Sequence, residues 1–373
     1  MIQQRSIVII ILSLFFLSGC WDEQLLKDVA LINSQAIDYN SENDTVKLTI
    51  ALVSGNSNEK VPTNTTIVSA EGKSIRDSRT ELDKKVGSEL FASKNQVTMF
   101  SRELAEKDIY AALDGNYRSP LSALTARLAV IEGEAESILH AETENKPLIS
   151  DYLRDLLISA EDTGAIPSVN LQNTLTTLYD DGQDIVMPRL KTVEQKAGAK
   201  IVGTALFSDR QMTGELNSEE SILLLLLSNN KKGAHRMTRK VQTDEVDPLY
   251  DYVTVDVENM KRNLRVSKNE LGDFEVQIDL VLKMNANEYP GDDLYKRHVI
   301  KRLNTQLSEE LTKEANIVLT KIKEANCDYL AIGRKVNAFY YSDWQNYKWK
   351  DVYPTIEMKA NVDVEIIYHG IIN

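Results

Sequence analysis

The chain has 373 residues, with 56 acidic and 43 basic side chains and a formal charge of −13. So acidic a surface disfavours nucleic acid as a partner and keeps a protein dispersed beside an anionic membrane. With 42 % hydrophobic and 7 % aromatic residues, the composition is that of a folded globular chain long enough for two or three domains.

The first stretch has Arg5 as its one charged side chain, then an apolar run over residues 7–17, then the small residues Ser18 and Gly19 ahead of Cys20. A positive start, a short apolar run and small residues at its end read as a secretory signal peptide. The run is about half the ~20 residues needed to cross a ~30 Å hydrocarbon core, so it does not read as a lasting transmembrane helix. The cysteine directly after the small residues makes it a lipoprotein signal. Residues 1–19 are expected to be removed, leaving Cys20 with diacylglycerol in thioether linkage and an N-acyl chain. Such acyl chains would hold the protein durably at a bilayer. With Cys20 acylated, Cys327 is the one thiol left, no intramolecular disulfide is expected, and Cys327 reads as a small buried apolar residue.

Strands are predicted from residue 29 and, by alternation of Val46, Leu48, Ile50 and Leu52, over 46–53. Residues 54–66, rich in Asn, Ser and Thr, read as a loop. A helix is predicted from Ser74 with Ile75, Leu82, Val86 and Leu90 down one side, then a strand over 96–100, and a helix capped by Ser101 that ends near Leu113. A strand over 124–131 and an amphipathic helix over 148–160 follow. Turn and glycine signals at 180–182 and 195–199 suggest a boundary between an N-terminal α/β domain, 20–195, and a C-terminal α+β domain, 196–373.

The second half begins with strands over 201–207 and 211–216. Asn217 and Glu220 are spaced as a capping box, opening a helix whose leucine run should be buried all round. Residues 229–240 read as a polar, basic loop, and 253–257 and 274–282 as strands. Apolar residues from Ile300 to Ala325 recur every three or four positions, predicting a helix over about 294–326 with one apolar stripe. At the end of the chain Ile356, Met358, Ala360, Val362, Val364 and Ile366 alternate with polar residues as a half-buried strand. The expectation is an antiparallel sheet with the long helix across one face, in a multi-domain α+β protein of mixed and antiparallel sheets.

Gly19-Cys20-Trp21-Asp22, with Val29-Ala30 and Ile37-Asp38 after it, resembles the start of the Ger(x)C spore germination lipoproteins. Ala70 to Ile75, Glu103-Leu104-Ala105 and Arg118-Ser119-Pro120 are similar to that family's next segments. Gly203 to Phe207, Gly214 to Asn217 with Glu220, Asp328 to Gly333, Trp344, Trp349 and the final strand up to Gly370 resemble its C-terminal part. Ser342-Asp343 departs from the pattern, which has a proline just before the tryptophan. The resemblance implies several mixed α/β domains in the C subunit of a nutrient germinant receptor. It also implies lipid attachment to the outer face of the spore inner membrane, and two polytopic partner subunits.

No phosphate-binding glycine loop, nucleophile elbow or paired metal-ligand histidines occur, so no enzymatic activity and no cofactor beyond the Cys20 lipid are expected. Asp180-Asp181 and Asp292-Asp293 sit beside glycines and read as turns rather than calcium loops. Lys231, Lys232, His235, Arg236, Arg239 and Lys240 form a basic island. Lys231, Lys232, Arg236 and Arg239 are candidate contacts to anionic lipid or an acidic partner loop. In the aromatic cluster 339–353, Trp344 and Trp349 read as core, and Tyr340 and Tyr341 as candidate docking residues. The alternative function, a substrate-binding lipoprotein of an importer, calls for two similar lobes, and the halves here are unlike.

Overall fold

A computed structural model describes residues 29–54, 64–141, 148–193, 198–242 and 247–368. Cys20 therefore lies outside the described residues, and so does His369. The first sheet is formed by β1 (Val29–Asn40), β2 (Thr45–Ser54), β3 (Asn64–Gly72), β4 (Glu89–Phe91), β5 (Val97–Ser101), β6 (Arg127–Ile131), β7 (Val186–Thr192), β8 (Ala199–Ser208) and β9 (Gln211–Asn217). Its order is β3-β2-β1-β5-β6-β7-β8-β9, with β4 also beside β1. The centre, β1-β5-β6-β7, is parallel, and antiparallel strands extend it on both sides. Parallel strands need crossovers, and helices supply them on both faces. One face is covered by α1 (Ile75–Asp83), α2 (Arg102–Lys107) and α3 (Ile109–Arg118); the other by α4 (Glu136–Leu139) and α5 (Ile149–Thr163). The short α6 (Leu171–Leu178) leads into β7.

Several local signals act as the sequence suggests. Ser101 accepts a hydrogen bond from the Leu104 amide at 3.3 Å and starts α2. Asp108 then breaks the helix with an extended backbone and caps α3 through the Tyr110 amide at 2.7 Å. The apolar spacing of Ile75, Leu82, Val86 and Leu90 outruns its helix: α1 ends at Asp83 and Leu90 sits in β4, yet all four reach one core. Strand β7 has no alternating pattern, because Pro188 interrupts it and Arg189 is buried by ion pairs. The boundary expected at residue 195 falls between β7 and β8, which pair along their length, so one sheet spans it. At the β7–β8 bulge Gly203 has φ +145°, and a Cβ there would sit 1.9 Å from the Leu216 carbonyl oxygen.

Beyond β9, α7 (Ser218–Leu227) opens with both arms of the capping box, Glu220 N–H to Asn217 Oδ1 at 2.9 Å and Asn217 N–H to Glu220 Oε2 at 3.0 Å. Leu223 to Leu227 are all buried, as an all-apolar run requires. The second sheet has the order β10 (Met237–Lys240), β11 (Tyr252–Lys268), β12 (Phe274–Glu288) and β13 (Glu357–Tyr368). Thus the basic segment expected to be a loop ends in a strand. The sheet is also mixed rather than antiparallel, because β13 runs parallel to β12. Helix α8 (Arg297–Glu324) is the reason: its 28 residues, roughly 42 Å of rise, carry the chain back to the end where β12 began. Leu303, Leu307, Leu311, Ala315, Val318 and Ile322 of α8 are fully buried in the C-terminal core. Val186, Leu206 and Leu216 of the first sheet belong to that same core.

The outer edge of β13 is closed by α8 itself. Asn304, Ser308, Thr312 and Asn316 lie one turn apart, and their side chains take the backbone N–H groups of Ile366, Val364, Val362 and Ala360 at 2.9–3.0 Å. Asn316 also donates to the Ala360 carbonyl at 2.9 Å. The ladder fits because four helical residues rise about 6.0 Å and two strand residues about 6.6 Å. Removing a rung leaves backbone groups unpaired, so Thr312→Val and Asn316→Leu should each lower the unfolding free energy by about 1–3 kcal/mol. The exposed neighbour Lys313→Ala should stay within ~0.5 kcal/mol. Urea unfolding of the three variants checks this, and rung variants as stable as Lys313→Ala would refute the ladder's role.

Candidate functional site

Among the described residues charge or exposed aromatic surface gathers in several places, and the most buried is a junction between the two sheets. Loop residues 180–184 before β7 and the turn 208–209 after β8 meet segment 326–353, which holds α9 (Ile332–Phe339), α10 (Tyr341–Trp344) and α11 (Trp349–Val352). Asp184 receives the Asp328 amide at 2.7 Å and the Asp209 amide at 3.0 Å, and it pairs with Lys350. Lys350 also donates to Ser208 Oγ at 3.0 Å. The Asp328 carboxylate accepts from the Ile332 amide at 2.9 Å, the Gly333 amide at 2.7 Å and Trp349 Nε1 at 2.9 Å. Burial dominates these donors and raises the Asp328 carboxyl to about 7, and the nearby Asp184 adds to the rise.

Two glycines allow the approach. A Cβ on Gly182 would lie 2.7 Å from the Arg334 amide nitrogen, and one on Gly333 would lie 2.6 Å from Trp349 Nε1. Asp180 accepts from the Gly182 amide at 2.8 Å and pairs with Arg334 at 2.7 Å, so this acidic turn is held by protein groups. Cys327 is buried here, burial raises its thiol well above the ordinary range, and its carbonyl accepts from Tyr353 Oη at 2.9 Å.

An acidic cleft of about 570 Å³ opens at the carboxyl ends of β1, β5 and β6. This is where the chain diverges to the two sides of β1, the usual crevice of an open α/β sheet. Asp38 at the end of β1 accepts from the amides of Ala135 at 2.6 Å and Glu136 at 3.0 Å, and burial raises it to about 6. Glu42, Glu71, Glu103, Glu106 and Glu134 add negative charge, against Lys47 and Arg102. Behind it Arg102 and Arg189 share Glu132 and Glu215, with Arg102 contacts at 3.0 and 2.7 Å. Among the described residues no three His, Cys, Asp or Glu side chains converge as a metal site.

The basic island divides by position. Lys231 is exposed, Lys232 pairs with Asp162 at 2.7 Å and Arg236 with Asp256 at 2.8 Å. Arg239 is instead buried, paired with Glu314 of α8 at 2.9 Å, which removes it from any outward surface. His235 is buried as well, with its ring nitrogens 3.0 Å from the Gly164 carbonyl and 2.9 Å from that of Asn230, and desolvation lowers its pKa. Sequence alone could not separate these residues, because a buried cation in a β10 position looks like its exposed neighbour. The aromatic cluster divides too. Tyr340 is half-buried against Phe274 and donates to the Val266 carbonyl at 3.3 Å, whereas Tyr341 and Phe339 are exposed.

Comparison with known proteins accounts for both halves. Residues 22–192 match the model of the spore germination protein N-terminal domain, and residues 202–370 match the "Spore germination B3/ GerAC like, C-terminal" model. The chain belongs to the Ger(x)C family, the family of germinant-receptor C subunits. Spore germination protein KC of Bacillus subtilis (strain 168) is 24 % identical over 403 residues, covering 98 % of this chain and 96 % of that one. YfkR of the same strain is 26 % identical over 238 residues, 60 % of this chain, and the match spans 61 % of YfkR. The crystal structure of the GerBC protein shares the fold, with a TM-score of 0.57, 15 % identity and coverage of 89 % of this chain and 96 % of that one.

A raised carboxyl contributes stability that is fully present below its unfolded value, near 3.8, and is lost as pH climbs through its folded value, here about 7. Asp328→Asn lacks this loss, while Asp38 titrates alike in both proteins. Between about pH 5 and about pH 8 the stability gap between wild type and Asp328→Asn should therefore be widest at the acid end and narrow toward the alkaline end. Urea unfolding across that range checks it; a pH-independent gap would show that Asp328 stays ionised throughout.

Proposed function

We propose that this chain is the lipid-anchored C subunit of a spore nutrient germinant receptor and acts without catalysis beside two polytopic subunits in the initiation of germination. The observation that carries this reading is the match of the two family models across residues 22–192 and 202–370, beginning two positions after Cys20. Diacylglycerol and an N-acyl chain on Cys20 attach it to the outer face of the spore inner membrane. No helix among the described residues is long and apolar enough to cross a membrane. The rival, a two-lobed importer-type binding lipoprotein, fits less well because one sheet runs through the middle of the chain.

The outward Lys231, Lys232 and Arg236 supply a contact for an acidic loop of a polytopic partner, and Tyr340 and Tyr341 lie on a second contact face. The pairings of Lys232 with Asp162 and of Arg236 with Asp256 are surface ion pairs that contribute little, and they yield readily to a partner.

Two experiments test this reading. The wild-type protein should carry acyl mass on Cys20, and Cys20→Ala should leave the membrane fraction of spores that lack the polytopic subunits; wild-type protein without acyl mass would sink the anchor. Detergent-solubilised spore membranes should yield two polytopic proteins with the tagged chain, and reversing the charge of Lys231, Lys232 and Arg236 should reduce their recovery in a salt-dependent way. Undiminished recovery at low salt would exclude that contact.

A further inference from the structure

The start of β1 lies close to Cys20 in the chain. From Cys20 to Val29 the chain can span roughly 32 Å at full extension and no more. If Cys20 is acylated, the end of the first sheet at which β1 begins is confined to the neighbourhood of the bilayer. Because β4, β5 and β6 run parallel to the strands beside them, they begin at that same end, and so the loop 119–126, which joins α3 to β6, lies there too.

That loop differs from the rest of this acidic chain. Residues 119–126, Ser-Pro-Leu-Ser-Ala-Leu-Thr-Ala, hold no charged side chain, and Arg118 and Arg127 flank them. Leu121 is 53 % exposed and Leu124 44 % exposed, two apolar side chains turned to solvent within four residues. Beside them Lys94 is exposed, and a cleft of about 1000 Å³ opens between Val29, Leu31, Lys94 and Arg154. The opposite end of the sheet, about 36 Å away along β1, carries the carboxylates of the acidic cleft. One end thus presents exposed apolar side chains and the exposed Lys94, its Arg118, Arg127 and Arg154 being neutralised by Asp114, Glu161 and Asp151, and the other is repelled by anionic lipid.

We infer that the end of the first sheet bearing loop 119–126 is a membrane-docking face, with Leu121 and Leu124 entering the interfacial zone of the bilayer and Lys94 meeting lipid phosphates. The inference rests on the lipid anchor proposed above. It gives the anchored protein one orientation, with β1 rising from the bilayer and the acidic cleft facing away from it. An interfacial contact of two leucines is too weak to hold a protein alone and sufficient to orient one already tethered.

Spin labels on Leu121→Cys and Leu124→Cys, with Glu103→Cys of the acidic cleft as control, test this in the full acylated chain. Cys20 is blocked by lipid, and Cys327 is buried with a raised thiol, so neither takes label. In vesicles of phosphatidylglycerol and phosphatidylethanolamine, the labels at 121 and 124 should show a severalfold rise in the ratio of oxygen to nickel-chelate accessibility, and the label at 103 none. Equal nickel access at all three positions, on vesicles that retain acylated protein, overturns the docking face and leaves the anchor reading standing. Absence of acyl mass on Cys20 overturns both. Shielding of 121 and 124 from both reagents, seen only when other receptor proteins are added, assigns the face to a protein and overturns the inference as well.

Discussion

The fold depends on two carboxylates from distant parts of the chain being buried side by side. Asp184 precedes the strand at which the first sheet turns from parallel to antiparallel, and Asp328 follows the helix that builds the second sheet. Each carboxylate loses several kcal/mol of hydration on burial, and their mutual repulsion adds to that cost, so donors must offset it. Backbone amides, an indole N–H and one lysine surround the pair, and no single element supplies them all. The cluster can be satisfied only when both halves are in register, which makes the junction specific as well as closed.

The same need to satisfy polar groups recurs at the sheet margins. Strand β13 is an edge strand whose free amides would otherwise invite pairing with another chain. Side chains one helical turn apart on α8 cover it, so the helix that crosses the sheet also closes it. In the first sheet charge is sorted by end: carboxylates at the carboxyl ends of the parallel strands, an uncharged apolar loop at their beginnings.

Much of the chain is legible without coordinates. The capping box at Asn217 and Glu220, the leucine run behind it, the apolar stripe of α8 and the alternation of β13 are local patterns, and local hydrogen bonding and periodicity decide them. Strand β7 is not, because Pro188 and Arg189 are tolerated there only through neighbours far along the chain. The spacing of Asn304, Ser308, Thr312 and Asn316 is plain in the sequence, yet it reads as part of a solvated back until β13 is placed beside it. Likewise Arg239 and Lys240 look alike until β10 forms and turns alternate side chains inward and outward.

By itself the sequence determined most of the helices and strands with a clear apolar period, the α+β class and the family, since each follows from composition, period or ordered motif. Tertiary structure alone decided that one sheet runs through the middle of the chain, that β13 returns parallel to β12, and which charges are buried. Those outcomes depend on pairings between residues far apart in the chain, and no local pattern encodes which distant partner will neutralise a given carboxylate.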